Sequence, residues 1–299
     1  MDAILKNKKN NSELLEKGYT VMEFADTLTV KRLLEYYQEH PNNFPHNFHA
    51  SHFSTDTAYK RKVHQFILNE MASAIENTFN NCQAVFANYM VKEAGGDNPM
   101  PLHADWTYVE ESVSSSYAIW LPLVDTSVEN GCIGVIPFSQ HLSHPIRGPR
   151  ILQWEYSAGD ILIGKMGTLL PMRAGQAFIY NHRTLHYSPP NNSGQARPAI
   201  NVSLVPVGEK IIHYTIPEGE TQILKFEVPG DDFFLDYDNF QMPRQGILLG
   251  KLSPGEAPLL NGRVEDFISK YAHRSSLSFL KRLFTRTDRI KFPAKPAIR

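Results

Sequence analysis

The stretch Met100-Pro-Leu-His-Ala-Asp-Trp-Thr-Tyr108 holds the residues best suited to chemistry, an H-x-D pair formed by His103 and Asp105. Two side chains one residue apart on a strand point to the same face, so an imidazole and a carboxylate there can converge on one ion. A pair supplies only two ligands. The third must come from a distant segment, and His186, in His-Tyr-Ser-Pro-Pro-Asn-Asn at 186–192, is the best-placed donor. Two imidazoles and one carboxylate on one face of an octahedral ion form the set that holds non-haem Fe(II) and leaves three positions open. With twelve histidines in 299 residues, an isolated H-x-D pair arises readily by chance, so the reading depends on its surroundings. His46, His49 and His52 form a second cluster, but no carboxylate or cysteine accompanies them, and lining a substrate mouth suits them better than metal binding.

The bulk properties bound the protein class. A chain of 299 residues with 42% apolar side chains can bury a sizeable core, and β domains often run to about 200–250 residues as one unit. One domain is expected over 1–299, with helical support at about 12–80, a β core at about 84–240 and a helical, basic extension at about 260–299. A formal net charge of −1 gives no general attraction to nucleic acid or to an anionic membrane, and favours a small-molecule partner. Cys82 and Cys132 make no disulfide framework and suit a reducing cytoplasm. The N-terminus has no apolar secretory core, and no stretch approaches the roughly eighteen apolar residues of a spanning helix. A cytoplasmic protein is expected. Nothing in the sequence speaks to its oligomeric state.

Along the chain, residues 1–11 read as a frayed polar start, followed by a short helix stopped at Gly18 and a strand. Apolar residues at near-3.6 spacing predict helices over 27–40 and 58–79, the first stopped by Pro41. From Ala84 the texture changes to short strands at 84–91, 116–124, 132–136, 151–156, 160–163, 176–180 and 196–207, with Pro, Gly and Asn between them. A further strand pair is expected at 221–228 and 233–237, and helices at 264–271 and 275–284. Short strands after a run of helices predict a mainly β protein with flanking helices, its core a double-sheet jelly roll.

Four pieces in this order resemble the phytanoyl-CoA dioxygenase-like family of Fe(II)/2-oxoglutarate-dependent oxygenases, over roughly residues 14–207. They are Glu16-Lys-Gly-Tyr-Thr-Val, His103-Ala-Asp105, the run from Ala118 through Glu129-Asn-Gly-Cys to Pro137-Phe-Ser-Gln140, and Ala174 to Ser188. Phe138 and Gln140 depart from the family pattern, which usually has Gly and often His there. The segment 150–172, with Trp154, is unusual, and the C-terminal third has no counterpart.

The resemblance implies a double-stranded β-helix that holds Fe(II) through His103, Asp105 and His186, the last preferred over His182. It also implies 2-oxoglutarate and O2 as co-substrates. The distal carboxylate of 2-oxoglutarate calls for a planar, permanently charged, bidentate donor, and Arg197, entering the strand 198–205, matches the family's arginine. Lys92 and Ser188 are implied as further contacts to the co-substrate. Trp106, Tyr108 and Trp154 are candidates for the substrate pocket wall, with aromatic core an equal reading for Trp106 and Tyr108. The implied reaction is hydroxylation, or another oxidation, of a small molecule. Two rivals remain. A zinc hydrolase could use the same three ligands, although no H-E-x-x-H is present, and a non-catalytic jelly-roll binding protein would need neither iron nor Arg197.

Overall fold

The computed structural model describes residues 3–41, 47–151, 155–238, 241–253 and 261–279. Its centre is a sandwich of two antiparallel sheets. The larger has six strands in the order β1 (Tyr19–Glu23), β8 (Gln176–Asn181), β5 (Tyr117–Pro122), β10 (Arg197–Pro206), β3 (Cys82–Lys92) and β2 (Phe48–Ala50). The smaller has four, in the order β4 (Met100–His103), β9 (His186–Ser188), β6 (Ile133–Val135) and β7 (Thr168–Leu170). This is the expected jelly roll. A third sheet, β11 (Ile211–Thr215), β12 (Ile223–Val228) and β13 (Ile247–Leu252), flanks it.

Strand alternation sorts the large sheet into two faces. Tyr89, Val91, Ile119, Leu121, Ile179, Ile200 and Val202 pack outward against helices α1 (Lys8–Lys17), α2 (Thr27–Glu39) and α3 (Thr57–Thr78). Their neighbours of opposite parity, Ala118, Trp120, Phe178, Tyr180 and Ala199, face the small sheet's Ile133 and Val135. The polar residues of the site therefore lie on the face that looks into the sandwich.

Several local expectations change. The chain is ordered well before residue 12. Leu5 is fully buried and bridges to Phe79, Asn11 Oδ1 accepts from the backbone of Ile4 and Leu5, and the Asn7 side chain caps α1. The strands expected at 151–156 and 160–163 are replaced by α4 (Glu155–Met166) where the chain is described. Alternating isoleucines at 161 and 163 imitate a strand, but Ala158, Leu162 and Met166, four residues apart, form the face that packs into the core. Likewise 233–237 is not a strand: Phe233, Phe234 and Leu235 lie in α5 (Gly230–Asp236), because a short apolar run carries no period to distinguish the two states. The two helices expected after 264 are one continuous α6 (Asn261–Phe279) as far as the chain is described. It packs on α4 through Val264, Phe267 and Tyr271. Most of the basic tail, together with His46 and Trp154, lies outside the described residues. No helix among the described residues is long and apolar enough to cross a membrane.

Phe138 takes a left-handed backbone, φ +68, at the position where the family pattern has glycine. Its ring is buried and stacks on Tyr271 at 4.9 Å between centroids.

Candidate metal centre

His103 closes β4 and His186 opens β9, and the two are direct partners across that antiparallel pair. A bulge between Met100 and His103 sets their register. Their rings lie 4.3 Å apart. Asp105 is not on the strand, which ends at His103; it stands in the irregular segment that follows. Its Oδ1 is 3.8 Å from His103 Nε2 and 3.8 Å from His186 Nε2. Among the described residues, these three form the one group whose ligand atoms converge, all within 4.8 Å. His182 stands outside it. That ring is fully buried, bonded through Nδ1 to Ser116 Oγ and packed on Tyr108.

Backbone carbonyls fix the tautomer of both imidazoles. His103 Nδ1 lies 2.8 Å from the carbonyl of Pro101, and His186 Nδ1 lies 3.0 Å from that of Thr184. A carbonyl only accepts, so each Nδ1 carries the proton and each Nε2 offers its lone pair to the centre. Burial, with His186 alongside, pushes the His103 imidazole down to about 4 from 6.5, so it is neutral near pH 7. Burial would raise the Asp105 carboxyl, but His186, His182, His103 and the Tyr180 hydroxyl together hold it below the usual range. Two imidazoles that present Nε2 and one carboxylate are a donor set suited to a divalent first-row metal.

Tyr180, on the inward face of β8, donates to Asp105 Oδ2 at 2.6 Å, and its ring lies 4.8 Å from His186. Its parity with Phe178 along the strand marks it as inward-facing, but nothing in the sequence pairs it with Asp105.

Arg197 opens β10 and lines the same cavity as the three ligands, as do Ser188 and Asn201. It is 2% exposed and stacks over Trp120 at 5.1 Å, yet its Nε and Nη1 have no partner among the described residues. Burial lowers its pKa to about 10, so the guanidinium stays charged at pH 7. A buried guanidinium with two donors unpartnered among the described residues has the chemistry to take an anion. Asn201, four residues along the same face of β10, adds an unpartnered Oδ1. Strand parity with Arg197 is the signal that could have found it.

The remaining expectations fall elsewhere. Lys92 is the register partner of Arg197 on β3, but its Nζ donates to the carbonyls of Ser188 and Pro189 and does not line this cavity. Burial, with Arg197 beside it, lowers the ammonium to about 6. It thus ties β3 to the turn after β9. Trp106 and Tyr108 also lie outside the cavity lining and pack with Phe226, Phe233 and Phe234. His49 bonds Glu93 and His52 bonds Asn88, so neither belongs to the metal cluster.

A jelly roll that brings two histidines, one carboxylate and a buried arginine to one cavity is the arrangement the sequence resemblance implies for the Fe(II)/2-oxoglutarate-dependent oxygenase class. The chain belongs to one family within it, phytanoyl-CoA dioxygenase (PhyH), whose pattern matches residues 14–199. It is 21% identical over 169 residues to a phytanoyl-CoA dioxygenase domain-containing protein 1 homolog of Dictyostelium discoideum, covering 52% of this chain and 56% of the relative. The chain thus spans little more than half the length of that relative. Among solved structures the fold is similar to the epimerase SnoN in complex with Fe3+, alpha ketoglutarate and nogalamycin RO (TM-score 0.53, 18% identity, 81% of this chain and 95% of that one). It is also similar to HygX from Streptomyces hygroscopicus with nickel, 2-oxoglutarate and hygromycin B bound (TM-score 0.51, 11% identity, 68% and 88%).

Proposed function

We propose that this protein is an Fe(II)- and 2-oxoglutarate-dependent dioxygenase that hydroxylates, or otherwise oxidises, a small molecule. The observation that carries the reading is the convergence of His103 Nε2, Asp105 Oδ1 and His186 Nε2 in one cavity with a buried guanidinium whose Nε and Nη1 have no partner among the described residues. When bound, iron and 2-oxoglutarate supply O2 activation, in which one oxygen atom enters succinate as CO2 leaves and the other oxidises a substrate C–H bond.

The chain's own residues do the rest. The two imidazoles and Asp105 would hold the ion through His103 Nε2, His186 Nε2 and Asp105 Oδ1. Tyr180 holds Asp105 Oδ2, which directs Oδ1 to the ion. Arg197 receives the distal carboxylate of 2-oxoglutarate, with Ser188 and Asn201 as neighbouring polar contacts. Met90, Met100, Trp120 and Ile133 keep this end of the cavity apolar and poor in water. Small molecules named with the two fold neighbours support a substrate of that class. The neighbouring epimerase is a reminder that the site's outcome varies within this fold.

Metal-free protein given Fe(II) and 2-oxoglutarate without oxygen should develop a weak visible charge-transfer band. On admitting O2 it should release succinate. A chain that binds zinc but gives neither band nor succinate would be a hydrolase or a binding protein instead.

A further inference from the structure

Beside the candidate metal centre lies a charged cluster, Arg147, Glu111 and Arg183, whose side chains do not line the cavity. Arg147 and Glu111 form a bidentate ion pair, Nη2 to Oε1 at 2.6 Å and Nη1 to Oε2 at 2.9 Å, with side chains 1% and 2% exposed. Arg147 Nε donates to the backbone carbonyl of Asp105 at 2.6 Å. The backbone of Arg147 is in turn tied to Thr107, whose hydroxyl reaches the Pro145 carbonyl. On the other side of Glu111, Arg183 approaches Oε2 at 3.5 Å and donates to the Ser143 carbonyl at 2.9 Å. Arg183 sits in the turn that leads from β8 to His186. One carboxylate therefore joins the segment that presents Asp105 to the turn that presents His186.

We infer that Arg147, fixed by Glu111, is a positioning residue for the metal centre: it sets the Asp105 backbone at a defined place relative to the turn before His186. Asp105 has no strand ladder to hold it, because β4 ends at His103. Its side chain is fixed by Tyr180 and its main chain by Arg147. Stability is a weak account of the cluster, since a buried ion pair is often matched or bettered by apolar groups of similar size. Geometry is the stronger account, because a planar guanidinium can serve the Asp105 carbonyl and a bidentate carboxylate at once and an ammonium cannot. The inference rests on the reading of His103, Asp105 and His186 as metal ligands.

The test is titration of Co(II), as a stand-in for Fe(II), into the metal-free full chain, followed by its visible d–d bands. Arg147→Met/Glu111→Leu removes both charges together and should unfold cooperatively, near the parent's midpoint. It should bind Co(II) at least about tenfold more weakly, with shifted bands. Arg147→Lys keeps the charge but loses the fork, and should show the same weakening. Parental affinity and parental bands in either folded variant would overturn the positioning role. So would failure of both variants to fold, which would make the cluster a folding element. No Co(II) binding by the parent chain would sink this inference and the metal reading together, whereas parental binding by the variants sinks this one alone.

Discussion

The Tyr180 hydroxyl donates to Oδ2 of Asp105 at 2.6 Å, while Oδ1 of the same carboxylate lies 3.8 Å from the Nε2 atoms of both His103 and His186. The carboxylate is thus divided, with one oxygen held by Tyr180 and the other facing the two imidazoles. Burial and the adjacent carboxylate raise the Tyr180 phenol well above its ordinary value, so it remains a donor at every working pH.

Tyr180→Phe removes that donor without changing the shape of the strand face. Metal affinity should fall about 10–100-fold, as for loss of an outer contact to a ligand. Titration of Fe(II) or Co(II) into metal-free protein measures it. Parental affinity would mean that Asp105 is held without Tyr180.

Arg197→Lys should leave metal binding near the parental value and weaken 2-oxoglutarate. Loss of a buried, charge-assisted fork costs about 2 kcal/mol or more, roughly a 30-fold rise in Kd. Anaerobic titration of the charge-transfer band reads it directly. Equal binding by parent and variant would place the carboxylate anchor elsewhere.

Stability should decline on the acid side for a reason separate from the metal. His182 and His213 are fully buried, and burial pushes their pKa values down to about 4 and about 3 from 6.5. Below pH 6.5 the unfolded chain therefore binds more protons than the folded one. Their contribution is intact above pH 6.5 and is lost as pH falls towards 4 and 3, each group at up to about 1.4 kcal/mol per pH unit. Urea unfolding of the metal-free protein between pH 7 and pH 5 tests the sign. His213→Phe should flatten the slope, and an unchanged slope would exclude His213 as a source.

At Phe138 the usual order of two substitutions should reverse. An alanine there loses the buried ring, about 3–5 kcal/mol, and keeps the left-handed backbone strain. A glycine loses the same ring but releases about 1 kcal/mol of that strain. Phe138→Gly should therefore be the more stable of the two in urea, whereas glycine is ordinarily worse than alanine within helices and strands by about 0.5–1 kcal/mol. Alanine proving the better would mean that the backbone relaxes away from φ +68.

What was legible in the sequence was local. The strands around β3, β5, β8 and β10 follow from short apolar runs separated by Pro, Gly and Asn, and the helices over 27–40 and 58–79 follow from 3.6-residue spacing. His103, Asp105 and His186 were chosen for their chemistry, and the fold brings those atoms together. Helix α4 reads locally as strand because Ile161 and Ile163 alternate, while its core face, Ala158, Leu162 and Met166, is spaced by four. The bonds from Tyr180 and Arg147 to Asp105 were invisible for another reason. Each joins segments far apart in the chain, and no local pattern records such a pairing. Lys92 is a co-substrate contact only by resemblance; its bonds to the main-chain carbonyls of Ser188 and Pro189 leave no trace in residue types.

The register partnership of His103 with His186 also has a kinetic meaning. Between β4 and β9 the chain must lay down β5, β6, α4, β7 and β8, so the two imidazoles meet only through a contact of long sequence separation. Such contacts close late, after their loop entropy has been overcome. A refolding chain should therefore regain its helical signal before it can capture a metal ion, which makes metal uptake a clock for the closing of the sandwich.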